Sequence, residues 1–201
     1  MTLRSALIAG PLALLLAVAS PAGVALAAPP VPFDINATVG PPAPTPPRPG
    51  KVPPCRLYIA GVEDRRADPT SMGYMESRMV LSSDAPGWVR SGLVTLQGDA
   101  RWALADKAET ADLVLNVEIL KSYIFAVSTS KAASVVLRVR YSHAGGELGQ
   151  NIYRGGKEAV NWAGTKSETS GLLNQALLEA VTLMQGDLAK GCSAAKAPRP
   201  Q

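Results

Sequence analysis

Leu57-Tyr58-Ile59-Ala60-Gly61-Val62 is a short apolar run rich in strand formers, and it predicts a buried strand. Met79-Val80-Leu81 predicts a second, shorter one. Asp84 followed by Pro86 opens a helix, an acid at the N-cap with proline in the first turn. That helix should run to about Gln97, with Val89, Leu93 and Leu96 on one face and Gly98 ending it. Leu113, Leu115, Val117 and Ile119 then keep one parity apolar, and Lys121 falls on that same parity. A bulge near Leu120 or Lys121 would restore the pattern through Val127. Val135, Leu137, Val139 and Tyr141 alternate with Val136, Arg138, Arg140 and Ser142 as a further strand. His143 to Gly149 reads as a turn, and Ile152 to Trp162 as a strand weakened by Gly155-Gly156. Finally Thr165 and Glu168 form a capping box ahead of Leu172, Leu173, Ala176, Leu177, Ala180, Val181, Met184 and Leu188 at helical spacing, with Lys190 and Gly191 as the stop.

Strands in sequence with short connections form antiparallel meanders. The expected fold class is therefore α+β: a mainly antiparallel sheet of about 4–5 strands packed against two helices.

The amino terminus has a different pattern. Arg4, an apolar stretch from Ala6 to Ala19, and small residues up to Ala27 and Ala28 make a removable signal peptide, with cleavage after Ala27 or Ala28. Pro11, Pro21 and Gly23 break the stretch before it reaches the ~20 residues that a membrane span needs. From Pro29 to Pro54, 11 of 26 residues are proline, which removes backbone donors and favours extended polyproline II. This tract reads as a semi-rigid spacer, with a docking motif as the alternative, and Val31 to Ile35 is an apolar island within it. The organisation expected is a leader at 1–27, a linker at 28–54, one domain at 55–192 and a disordered tail at 193–201. The first cysteine comes far downstream of the leader, so no lipid anchor is expected. Export to the periplasm, or secretion beyond it, follows.

Composition narrows the chemistry. A formal charge of +4 with 18% charged residues, basic and acidic side chains mixed, gives no clustered basic face for nucleic acid. Cys55 and Cys192 are the only cysteines, and an oxidising destination predicts that they bond to each other. A loop of about 138 residues closed in this way is stabilised by on the order of 4–5 kcal/mol through lost chain entropy. His143 is the one histidine, and no zinc-type spacing exists, so neither a metal nor a cofactor is expected. Ser128-Thr129-Ser130-Lys131 matches the S-x-x-K nucleophile pattern. It lies between two strands, where a polar turn is the plainer reading. Asp64 and Arg66 sit just past a strand end, placed either for binding or for holding each other and the local backbone. Tyr123 to Val127 is expected in the core; exposed, Tyr123 and Phe125 would form a contact patch for a partner or a lipid.

Val62-Glu63-Asp64-Arg65-Arg66 with Gly73 downstream resembles the V-x-D-x-R…G opening of YajG-like envelope lipoproteins. Ala111 to Glu118, Tyr153-Arg154-Gly155 and Leu173 to Leu178 extend the resemblance across about residues 55–190. The auxiliary components of lipid-transport ABC systems are similar in layout. The resemblance implies a periplasmic α/β domain without an established active site, and this chain departs from it in lacking the lipidation cysteine. The function expected is a non-enzymatic accessory or binding module that contacts an envelope protein. Alternatives are an apolar-ligand carrier that holds lipid between sheet and helices, and a hydrolase.

Overall fold

The computed structural model describes residues 53–144 and 146–196, together with the backbone of Phe33 and Asp34. The leader with its Ala27–Ala28 cleavage point, most of the linker, and residues 197–201 lie outside the described residues. The elements run β1 (Phe33–Asp34), β2 (Cys55–Asp64), β3 (Ser71–Met75), β4 (Arg78–Leu81), α1 (Ala85–Val94), β5 (Trp102–Leu104), β6 (Leu113–Ala126), β7 (Ser130–His143), β8 (Gly146–Val160) and α2 (Lys166–Lys196). A 3-10 turn over Thr95–Gly98 follows α1.

All eight strands join one sheet. β6 is its spine. One side of β6 pairs with β7, which pairs with β8, and both pairings are antiparallel. Its other side pairs in parallel first with β2 and then with β3. β5 extends the sheet in parallel beyond β2, β4 pairs antiparallel with β3, and β1 runs parallel to β4. The α+β class holds, but the expected mainly antiparallel sheet of 4–5 strands is corrected to a mixed sheet in which four of the seven pairings are parallel. The physical reason is the crossover. α1 lies between β2 and β6 in the chain, and a strand–helix–strand path brings two strands back in parallel. The meander rule holds only where turns are short, in β6–β7–β8.

The bulge expected near Leu120 or Lys121 is present: the β6–β7 register shifts between Ile119 and Lys121. Because of it, Leu113, Leu115, Val117, Ile119, Ser122, Ile124 and Ala126 all point to the same, buried side. Both helices cover that side. The Asp84 carboxylate accepts the Gly87 N–H at the start of α1, and Trp88, Val89, Leu93 and Leu96 enter the core as the spacing requires. On α2, Thr165 accepts the Glu168 N–H, and Leu172, Leu173, Ala176, Leu177, Ala180, Val181, Met184 and Leu188 are buried. The two helices meet where Trp88 Nε1 donates to Asn174 at 2.8 Å. The turn expected over His143–Gly149 is shorter, since β7 runs through His143 and β8 begins at Gly146.

α2 does not stop at Lys190–Gly191 but continues to Lys196. A Cβ on Gly191 would lie 3.2 Å from Leu113, so this glycine marks close packing of helix on sheet and not a helix end. One residue later Cys192 is buried and bonded to Cys55 at the first residue of β2. The bridge ties the two ends of the fold across 137 positions of sequence. Of the S-x-x-K segment, Ser128 and Thr129 lie in the turn between β6 and β7, and Ser130 and Lys131 open β7. The Lys131 ammonium is buried and donates to Glu168 at 2.7 Å.

Helix α2 approaches β8 closely at Gly155, where an added Cβ would fall 1.8 Å from the Ala176 carbonyl oxygen. Gly155→Ala should therefore cost about 2–3 kcal/mol in chemical denaturation, because neither backbone can give way. An unchanged midpoint would refute the close approach. Replacing both cysteines with serine should lower the melting temperature by about 10 °C or more, given the length of chain they close. A loss of a degree or two would show that the bridge restrains little.

Candidate interaction face

Among the described residues both helices lie on one side of the sheet, and the other side is open. The bulge in β6 turns Lys121, Tyr123 and Phe125 onto it. Tyr123 is 36% exposed, Phe125 is 50% exposed, and Val127 beyond them is exposed as well. The expectation that this segment lies in the core is corrected: only Ile124 and Ala126 are buried, because alternate residues of a strand point to opposite faces. Tyr74 of β3, directly opposite Phe125, adds a third ring, also 36% exposed. Lys121 reaches over the Tyr123 ring, 5.4 Å from its centre.

On the far side of the rings the neighbouring positions are small. Tyr123 faces Ser134 and then Gly156, and Phe125 faces Ala132 and then Glu158. Large rings beside small residues leave a groove, here a cavity of about 480 Å³. Its walls are Tyr123 and Phe125 on one side and the β8 backbone with Glu158 on the other. The arrangement suits an apolar or aromatic side chain laid against the rings.

The other half of the open face is polar. Glu118 of β6 accepts from Arg138 at 2.7 Å and from Arg140, both on β7. Burial pushes the Glu118 carboxyl up, but the two guanidinium groups outweigh it and hold the carboxyl below its usual range. Both guanidinium groups are well exposed, so water screens the pair.

Asp64 and Arg66 point elsewhere. A register shift in β2 after Ile59 puts Asp64 level with Ile119, at the rim of the core. Arg66 grips it with Nε at 2.8 Å and Nη2 at 2.7 Å, and donates from Nη1 to the Ser71 carbonyl. Burial raises the Asp64 carboxyl, and the Arg66 hydrogen bonds and charge more than reverse this. With Asp68 capping the Thr70 and Ser71 N–H groups, this pair shapes the loop into β3. The two residues are thus brought to each other and not to the rings.

A cluster missed in the sequence lies on the helix side of β7 and β8. Tyr153 donates to Asp187 of α2 at 2.7 Å, so Tyr141, 2.5 Å from Tyr153, is left as the donor between the phenols. Asn151 and Lys190 also donate to Asp187. Burial raises the Tyr153 hydroxyl to about 12 and Tyr141 further. Both stay protonated at ordinary pH, and the chain of bonds stitches the outer strands to α2. At the end of β7 the His143 Nδ1 donates to the Asp112 carbonyl at 2.9 Å; because a carbonyl only accepts, Nδ1 carries the proton. Among the described residues no group of three or more His, Cys, Asp and Glu could hold a metal ion. No helix among them is long and apolar enough to cross a membrane.

The fold defines a class: a mixed sheet clad by two helices on one face, bare on the other and closed by a terminal disulfide. No family model and no curated protein sequence matches the chain. Solved structures do share its fold. Protein XCC0632 from Xanthomonas campestris, of the family DUF330, is 14% identical with a TM-score of 0.54, over 83% of this chain and 100% of that one. Protein CT253 from Chlamydia trachomatis is 11% identical with a TM-score of 0.50, over 70% of this chain and 99% of that one. At these identities the likeness is one of fold, and it does not single out the YajG-like family.

Glu118→Gln should cost up to about 1 kcal/mol at neutral pH, since the pair is open to water. A carboxyl held low in the fold stabilises above its unfolded value of about 4.3 and loses that contribution as pH falls. The melting temperatures of wild type and variant should therefore differ at pH 7 and converge below about pH 4. A difference that grows on acidification would contradict the assignment.

Proposed function

We propose that this chain is an exported envelope accessory protein that binds another protein through the ring-lined groove on its open sheet face. The observation that carries the reading is the exposed row Tyr74, Tyr123 and Phe125 beside the small residues Ala132, Ser134 and Gly156. Monomeric domains seldom leave several large rings in contact with water unless something covers them. The signal peptide read from residues 1–27 supports a periplasmic or secreted setting, and the Cys55–Cys192 bridge suits an oxidising one. Binding is favoured over hydrolysis because the Lys131 ammonium is already committed to Glu168. It is favoured over a carrier that holds lipid between sheet and helices because that layer is filled by fully buried Leu57, Leu93, Leu115, Leu137 and Leu173.

Tyr123→Ser combined with Phe125→Ser should abolish capture of the partner from envelope extracts and shift stability by no more than about 0.5 kcal/mol. A photo-crosslinking residue at position 125 should give the same adduct in cells, and one at the exposed helix position 189 should not. Equal adducts at both positions, or capture that survives the double change, would sink the reading.

A further inference from the structure

β8 is a long edge strand with an unusual edge. Fourteen of its fifteen residues pair with β7 on one side, and none pairs with a strand on the other among the described residues. The Gly156 N–H donates to the Glu179 carboxylate of α2 at 2.8 Å, so it points away from β7. In an antiparallel ladder alternate residues turn both backbone groups to the same side. Ile152, Arg154, Glu158 and Val160 therefore direct their N–H and C=O groups to the free edge along with Gly156.

Side chains of the same five positions stand on the open face, and in order they read apolar, basic, glycine, acidic, apolar. Ile152 is 58% exposed and Val160 54% exposed. Arg154 and Glu158 form no ion pair among the described residues, unlike Glu118, Arg138 and Arg140 on the same face. This order is self-complementary under a twofold axis. An antiparallel copy centred on Gly156 sets Ile152 against Val160, Arg154 against Glu158 and Gly156 against itself. Centring on Arg154 or on Glu158 would oppose like charges, and centring on Gly155 or on Lys157 would leave Arg154 and Glu158 without each other.

We propose that the free edge of β8 pairs antiparallel with the β8 edge of a second copy, about a twofold axis at Gly156, so that the two sheets become one. Glu179 holds the edge in the single chain by taking the Gly156 N–H. In the pair the Gly156 carbonyl of the second copy takes that proton instead. Leu183, one helical turn beyond Glu179 and exposed, lies on the same side of α2 and is covered as the copies meet. Pairing also places the two ring-lined grooves side by side, but it uses neither Tyr123 nor Phe125, so it stands whether or not a partner binds them.

The test is sedimentation velocity on the full chain with its bridge intact, from about 1 µM to about 1 mM, the range in which so small an interface assembles. Wild type should show a concentration-dependent dimer. Arg154→Glu alone and Glu158→Arg alone should each weaken it about tenfold, because each opposes like charges at two symmetric positions. The double exchange R154E/E158R should restore it to within about threefold. Glu179→Ala should strengthen the dimer, since the competing acceptor is gone. A chain that stays monomeric throughout, or a double exchange as weak as the single ones, would overturn the proposal.

Discussion

The extra residue in β6 is the constraint on which the rest of the molecule depends. β6 pairs with three other strands, and its fourteen residues are too many to keep one parity apolar without interruption. Without the bulge after Ile119, the core side of its first half would become the water side of its second half. Ile124 and Ala126 would face solvent, and Tyr123 and Phe125 would be driven under the helices. With it, one face of the sheet is aliphatic from Leu113 to Ala126, and both helices can lie on that face. The groove, the polar pair at Glu118 and the exposed β8 face are consequences of the same choice of side.

What was legible in the sequence follows from how local each signal is. The inversion of parity at Lys121, the Asp84 cap, the Thr165–Glu168 box and the inward face of α2 were all readable, because each depends on residues a few positions apart. The pairing of the two cysteines was readable from their number and from the export that the leader led us to expect. Strand partners were less so. β3 and β5 are short and poor in branched residues, and the run from Glu63 to Gly73 resembles loop until Gly73 and Tyr74 are seen paired with β6. Even so, a strand, a helix and another strand in succession did carry the signal for a parallel pair, and the meander rule overrode it. Gly191 misled in the same way: a glycine after a basic residue looks like a helix end, whereas here it admits Leu113.

The site was only half legible. Tyr123 and Phe125 stood out as aromatic, but which face they occupied depended on the bulge. Tyr74, Ala132, Ser134 and Gly156 come from three other strands, and no spacing in the sequence relates them. Asp64 and Arg66, two residues apart and opposite in charge, satisfy each other, so the alternative of mutual pairing accounts for their contacts. The tyrosine pair with Asp187 joins residues more than thirty positions apart and was invisible until α2 lay on β8. In a sheet covered on one side, the residues free to act are those on the bare face, and register decides which these are.

The division of β6 into a helix side and a bare side is tested most directly by NMR with a soluble paramagnetic agent, read at side chains of the intact protein. Rings of Tyr123 and Phe125 should broaden strongly, while the methyl groups of Ile119 and Ile124 stay sharp, on both sides of the bulge. Protection of the Phe125 ring equal to that of Ile124, or broadening of Ile124 with Ile119 protected, would mean that the strand does not bulge after Ile119 and that the open face is not the one described.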